Sequence, residues 1–500
     1  MNVRFHNPTA SAALSLVAVV TCAATAAAQP TFSIDFQGPP KGFPDSCWGI
    51  PITEGDILIA VTGTPAPGPL PPPCVFISGG FGPPAPGLGL PMWPGALGRP
   101  PGVPGFVEVD ALSYGMDLAI DPRTPPLEVR WYFSVDEWAA GIPGTPLPPA
   151  VWTEGPWFGG PAEASADVFA DIGIPFPGPC MPPIPGGNTV YVDGDGIPPA
   201  IPFGLGLVEP NPPAPGPIDI GTNIDALDVD TWPAPVGVPP PPRPVFYSLD
   251  SAIVFDFLDG FPGTGSAMAN GGFVGGDVLF SPGPGAPPIL WAPAFMLGLD
   301  LFGPDTDDLD ALAYWENGDG VYTPPQEPYS WVGGMTDMLL FSVRRGSLVI
   351  GMPDFLCGIP IEEGDVLLPP PAPGLPPGVW IPAEVLGLAT VRSGTAPPGQ
   401  PGDDLDALDV AADCNMNWTP DLLDIVSGTS ADCNQNGVPD ECDCWGDLDN
   451  DRDIDLADLA ILLANYGAGG VTYWQGDLDC DGDVDLADLA TLLAAYGTTC

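Results

Sequence analysis

Phe32-Ser33-Ile34-Asp35 returns three times along the chain, as Phe133-Ser134-Val135-Asp136, Tyr247-Ser248-Leu249-Asp250 and Phe341-Ser342-Val343-Arg344. An aromatic residue, a serine and an aliphatic residue in succession read as a short strand. Three further signatures recur with it in fixed order. Asp before apolar residues stands at Asp56-Ile57-Leu58, Asp167-Val168-Phe169, Asp277-Val278-Leu279 and Asp365-Val366-Leu367. Leu-Gly-Leu begins at Leu88, Leu205, Leu297 and Leu386, and Asp-Ala-Leu begins at Asp110, Asp225, Asp310 and Asp406. Four signatures in one order, four times over, define an internal repeat within a body spanning 29–412. Its units run at about 32–132, 133–246, 247–340 and 341–412.

Each signature reads as a strand bounded by long Pro/Gly loops such as Pro65–Pro73 and Pro210–Pro217. The expected fold class is a mainly β repeat body, either propeller-like or built of tandem small sheets. Within the body, every Asp-Ala-Leu strand is followed by the next Phe-Ser strand except the last, at Asp406. The Phe-Ser strand at Phe32 in turn lacks a predecessor. Pairing these two ends would close a ring and hide two sheet edges. The acids at Asp110, Asp225, Asp310 and Asp406 recur once per unit and read first as turn or cap residues.

The chain has 66 Gly and 74 Pro among 500 residues, yet 45% of it is hydrophobic, so a core can be buried. Acids number 63 against 10 bases, for a net charge of −53. Nucleic acid and anionic membrane are poor partners for such a surface, because both are bound by clustered Lys and Arg. Residues 1–28 read as a secretory signal peptide: Arg4 lies in its basic start, Ser11–Ala24 is apolar, and Ala26-Ala27-Ala28 is a small-residue cleavage site. A secreted or cell-surface protein is expected. Cleavage would remove Cys22 and leave an even number of cysteines, as disulfides require. It would also remove the single histidine, His6, and with it any Ser-His-Asp, Cys-His or His-zinc chemistry. The body therefore reads as non-catalytic. A carboxylate pair for glycoside hydrolysis is the enzymatic alternative, and no pair stands out.

After 412 the composition changes. The end of the chain holds two copies of one phrase, D-L-D-N-D-R-D-I-D-L-A-D-L-A-I-L-L-A-N-Y-G at Asp447–Gly467 and D-L-D-C-D-G-D-V-D-L-A-D-L-A-T-L-L-A-A-Y-G at Asp477–Gly497. Acids fall at positions 1, 3, 5, 9 and 12 of each twelve-residue loop. Alternate residues of a tight loop point oxygens at one cation, and this is the spacing of a calcium loop. The candidate ligands are Asp447, Asp449, Asp451, Asp455 and Asp458, then Asp477, Asp479, Asp481, Asp485 and Asp488, with Asp453 and Asp483 offering position-7 carbonyls. Position 6 favours positive φ, which Gly482 supplies and Arg452 does not. A helix should follow each loop, its apolar face formed by Leu456, Leu459, Leu463 and Tyr466 or by Leu486, Leu489, Leu493 and Tyr496. Gly467 and Gly497 should stop these helices.

The connector 413–446 repeats the spacing in Asp432, Asn434, Asn436, Asp440 and Asp443, and in Asp413, Asn415, Asn417, Asp421 and Asp424. Asx turns braced by Cys414, Cys433, Cys442 and Cys444 are the alternative to metal there. Cys480 and Cys500 could bridge across the second loop and helix, though spacing alone does not fix a pairing.

Residues 447–500 resemble a type I dockerin, on three features: two loop–helix copies, Asp at position 12 (Asp458, Asp488), and the D-L-A-D-L passage from loop to helix. The Asp432–Asp443 segment resembles, over a shorter stretch, the calcium loops of thrombospondin type 3 repeats. The dockerin resemblance implies a calcium-dependent module that docks a cohesin-like partner through loop positions 10 and 11. Carried over, these are Leu456, Ala457, Leu486 and Ala487, apolar where the cellulosomal pattern favours Ser or Thr. Such modules tether secreted proteins to scaffolds. Two readings of the whole chain follow: extracellular assembly or adhesion with a non-catalytic body, or a tethered component of a polysaccharide-degrading system.

Overall fold

Strands that are apolar on both faces need cover on both sides, and a ring of sheets packed face to face provides it. The computed structural model has that arrangement. It describes residues 28–35, 40–60, 71–80, 87–90, 108–113, 132–136, 139, 149–155, 164–171, 188–194, 204–207, 222–229, 245–251, 263–281, 286–315, 320–325, 336–412, 429–431, 433, 439–441, 445–448 and 454–497.

Three strands come first: β1 (Ala28–Phe32), β2 (Ile57–Ile59) and β3 (Cys74–Ile77). Blade I is β4 (Ala111–Ser113), β5 (Tyr132–Ser134), β6 (Val168–Asp171) and β7 (Asn188–Val192). Blade II is β8 (Ala226–Val229), β9 (Val245–Ser248), β10 (Val278–Ser281) and β11 (Ile289–Ala292). Blade III is β12 (Leu309–Trp315), β13 (Met338–Val343), β14 (Val366–Leu368) and β15 (Gly378–Ile381). Blade IV takes β16 (Leu408–Ala412) from the far end of the body, in the order β16-β1-β2-β3. All four sheets are antiparallel, and together they form a four-bladed, propeller-like body.

The β1–β16 ladder runs from Ala28↔Ala412 to Phe32↔Leu408, so the two ends of the body do pair and close the ring. Blade boundaries consequently fall one signature earlier than the repeat units read from Phe32. Each Asp-Ala-Leu strand heads a blade instead of ending a unit, and β4, β8, β12 and β16 lie against one another around the axis. Four apolar clusters fill the blade interfaces. One joins Phe32, Leu58 and Leu408 of blade IV to Leu340 and Val366 of blade III, and another joins Ile57 and Ile77 of blade IV to Leu112 and Phe133 of blade I. The remaining two lie between blades II and III and between blades I and II.

The Leu-Gly-Leu signature is not a strand. Its glycines Gly89, Gly206, Gly298 and Gly387 all have φ between 72° and 88°, a left-handed turn that a side chain would strain. In blades III and II, respectively, it ends the one-turn helices α4 (Ala383–Leu386) and α3 (Ala294–Leu297). The chain then folds back, with Leu299 N–H donating to Ala294 O and Leu388 N–H to Ala383 O, each at 3.0 Å. Both leucines of every copy are buried, so the signature is a turn pinned by two core anchors. Two more single-turn helices, α1 (Val151–Glu154) and α2 (Ser266–Ala269), lie in blades I and II.

The remaining signature residues stitch the repeat together. Ser33 Oγ donates to Val109 O at 2.7 Å, Ser134 to Ile224 O at 3.0 Å, Ser248 to Leu309 O at 3.0 Å and Ser342 to Leu405 O at 2.7 Å. Each bond runs from the second strand of one blade to the head of the next blade's inner strand, and the set goes once around the ring. Replacing any of these serines by alanine leaves a buried carbonyl unpaired and is expected to lower stability by about 1–2 kcal/mol. Urea midpoints check this, and a quadruple variant as stable as the parent would dissociate the serines from blade packing. The Asp of the second signature clamps a turn. Asp365, for example, accepts from Glu362 N at 2.9 Å and from Ala383 N at 2.9 Å, and Asp56 and Asp277 do the same in their blades. In blade III, Arg392 adds a buried pair with Asp365 at 2.7 Å and Glu384 at 2.6 Å.

Candidate metal centre

The terminal module is built on α5 (Leu456–Asn465) and α6 (Leu486–Ala495). Asp455 and Asp485 are their N-caps, each accepting from the N–H two residues on, Ala457 or Ala487, at 2.6 Å. Asp458 and Asp488 complete the capping boxes by accepting from Asp455 N and Asp485 N at 2.7 Å. Their other carboxylate oxygens reach back across the loops. Asp458 Oδ1 accepts from Leu448 N at 2.6 Å, and Asp488 Oδ1 from Leu478 N at 2.7 Å and Asp479 N at 3.1 Å. The position-12 acids, both fully buried, therefore cinch their loops to their helices. The D-x-x-D spacing carried this capping signal in the sequence beside the metal-ligand reading.

The two halves hold each other. Gly467 N–H donates to Val484 O at 2.8 Å, and Gly497 N–H donates to Ile454 O at 2.7 Å, so each helix end seals the other half's loop. Both glycines sit at positive φ just past the helix, the stops expected there. A small core of Leu448, Ile454, Leu462, Tyr473, Leu478, Val484 and Leu492 lies between the helices.

The second loop lies wholly within the described residues. Gly482 has φ 91° at position 6, as position 6 demands, and its N–H donates to Asp477 Oδ2 at 3.1 Å. Asp477, Asp479 and Asp488 bring one carboxylate oxygen each within 4.8 Å of one another, and so do Asp483, Asp485 and Asp488. Asp481 turns inward to the loop backbone, accepting from Asp483 N at 3.0 Å. Asp477 Oδ1 is buried with no hydrogen-bond partner. Desolvation first, then the neighbouring Asp488, Asp481 and Asp479, push the Asp477 carboxyl above its ordinary range, and Asp481 does the same to Asp483. An orphaned buried oxygen among crowded carboxylates, with all-oxygen donors, fits a hard divalent cation of the calcium class. Asp483 offers its side chain to this group in addition to the backbone carbonyl expected of it.

In the first loop Asp447, Asp455 and Asp458 are described, while Asp449, Asp451, Asp453 and Arg452 lie outside the described residues. In the connector, Asp440 Oδ1 accepts from Cys433 N at 2.9 Å, as a turn-forming carboxylate does. The other connector candidates, Asp432, Asn434, Asn436, Asp443, Asp413, Asn415, Asn417, Asp421 and Asp424, lie outside the described residues. Cys480 pairs with Cys433, not with Cys500, and this ties the connector to the second loop.

The helix faces divide between core and solvent. The loops place Asp458 and Asp488 inward, so Leu462 and Leu492, one turn on, are the buried residues. Leu456 and Leu486 are both 67% exposed, with Leu463, Tyr466, Leu493 and Tyr496 exposed beside them. Leu459 and Leu489 are half-buried, and Ala457 and Ala487 are exposed. Apart from Leu459 and Leu489, the apolar stripe read from the sequence is the module's outer surface. Among the described residues, no helix is long and apolar enough to cross a membrane. No protein-family model, curated protein or solved structure matches the chain.

Proposed function

We propose that the chain is a secreted calcium-binding protein whose terminal module docks a cohesin-like partner and whose propeller-like body serves assembly or adhesion outside the cell. The observation that carries this reading is the duplicated exposed apolar stripe, Leu456–Leu463–Tyr466 and Leu486–Leu493–Tyr496, rising directly from the two acidic loops. Exposed leucines in matched pairs on ten-residue helices are a poor choice for a solvated surface and a good one for a partner. Calcium acts by fixing the loops, which set the helix starts and hence the stripes. Twofold equivalence lets either copy engage.

Replacing Leu456 by Asp alone, or Leu486 by Asp alone, is expected to weaken capture by only a small factor. The double variant removes both faces and loses about 3 kcal/mol of apolar contact or more, on the order of a hundredfold in affinity. The measurement is capture of extracellular protein by the immobilised full-length chain, with CaCl2 or with EDTA. Capture that is equal in both conditions, or that survives the double substitution, overturns the docking reading.

A further inference from the structure

A second acidic cluster lies in the propeller, where the inner strands begin. Asp225 precedes β8, Asp308 precedes β12 and Asp310 is its second residue, Asp404 and Asp406 precede β16, and Asp250 follows β9. All are buried, none with more than 8% of its surface exposed. They differ from the structural acids of the same chain. In Asp56, Asp277 and Asp365 both carboxylate oxygens accept backbone N–H groups. In the axial group, Asp225 Oδ2, Asp308 Oδ1, Asp310 Oδ2, Asp404 Oδ1 and Asp406 Oδ2 are buried with no hydrogen-bond partner. Orphaned buried oxygens are costly, and five in one cluster call for a positive partner.

Asp225, Asp250 and Asp308 converge most closely, each bringing a carboxylate oxygen within 4.8 Å of the other two. We infer that these three carboxylates, from blades II and III, hold a divalent hard cation of the calcium class. The donors are all oxygen, which selects calcium or magnesium over softer ions. A buried set of several carboxylates suits the larger, less strictly hydrated calcium. Arg344 faces these three carboxylates, with its guanidinium 2.6 Å from Asp250 Oδ1 and 3.7 Å from Asp308 Oδ2, while Arg345 lies 3.9 Å from Asp404 Oδ2. Arg344 stands where the other repeats carry Asp35, Asp136 and Asp250, so one sector of the ring has a built-in positive charge. That single charge faces Asp225, Asp250, Asp308 and Asp310. It leaves Asp225 Oδ2 and Asp308 Oδ1 unmatched. Asp308 also requires a glycine beside it: a Cβ at Gly275 would meet its Oδ1 at 2.0 Å.

The test counts calcium bound per full-length chain by equilibrium dialysis with radiocalcium. Wild type is compared with Asp225→Asn/Asp308→Asn and with the terminal-loop variant Asp477→Ala/Asp479→Ala. The axial variant is expected to bind one ion fewer than wild type while keeping those of the terminal loops. The terminal variant should lose its own ion and keep the axial one. An axial variant that folds and binds as many ions as wild type overturns the site and leaves the docking module untouched. Should the axial variant not fold, the body's melting in the terminal-loop variant decides, followed by near-ultraviolet circular dichroism with and without CaCl2. A rise of several degrees with calcium supports the site, and coincident melts overturn it.

Discussion

Chelating calcium from the full-length chain is expected to melt α5 and α6. Ten-residue helices are too short to persist alone in water, and their shared core of seven buried apolar residues is small. Their starts depend on Asp458 and Asp488, which a loop must deliver to the helix against the repulsion of its neighbouring carboxylates. A ligand that binds only the folded state adds about 4 kcal/mol at a thousand times its dissociation constant, and removing calcium withdraws that support. Asp488→Ala should have the same outcome even with calcium present. It deletes a potential ligand and three backbone hydrogen bonds to a charged acceptor, each contributing about 1.5–3 kcal/mol. Trp445 and Trp474 pack on Tyr473 at ring-centroid distances of 4.8 and 5.0 Å, so their share of the chain's tryptophan emission should change when the module melts. Unchanged far-ultraviolet circular dichroism and tryptophan emission in EDTA would sink the prediction.

Asp488 also shows where sequence reading stops. Its spacing in the loop was legible, because ligand geometry is local and alternate positions of a tight turn converge whatever surrounds them. Its second task as a capping residue was legible too, in D-x-x-D, yet one pattern masked the other. The choice of buried face was not local. D-L-A-D-L-A-I-L-L-A offers two apolar stripes at helical spacing, and only the inward anchor of Asp458 by Leu448 N decides that Leu462 is core and Leu463 is surface.

The propeller repeats this division. The serine signature was legible as a strand, and the unmatched ends at Phe32 and Asp406 foretold closure. The outer strands Cys74–Ile77, Asn188–Val192, Ile289–Ala292 and Gly378–Ile381 share no signature, so the fourth strand of each blade was assigned instead to Leu-Gly-Leu. Asp365 and Asp310 both sit beside an apolar strand and look alike in sequence. One meets two backbone N–H groups and the other faces the axial cluster, a difference that exists only once four blades are assembled.

Deleting residues 28–35 is expected to unfold all four blades, not one. The segment is the second strand of blade IV, paired on both sides with β16 and β2. It carries Phe32 and Ile34, fully buried between blades III and IV, and Ser33, which bonds across to Val109 of blade I. Its Asp35 is paired with Arg345 of blade III. Phe32→Ala alone removes a large buried side chain at a loss of about 3–5 kcal/mol, a large share of the roughly 5–15 kcal/mol that holds a typical domain. Deletion adds to this the loss of two strand ladders and exposes the edges of β16 and β2 to intermolecular pairing. The distinction lies in where the damage spreads. Tandem sheets would confine it to blade IV. In a ring each blade supports the next through a shared apolar interface, and losing one strand uncovers faces of blades I and III, whose other neighbour is blade II. Hydrogen exchange followed strand by strand separates the cases. Protection lost from β8 to β11, on the far side of the ring from the deletion, is the result a closed propeller requires. Retained protection there, with exchange confined to β2, β3 and β16, would mean that the blades stand independently.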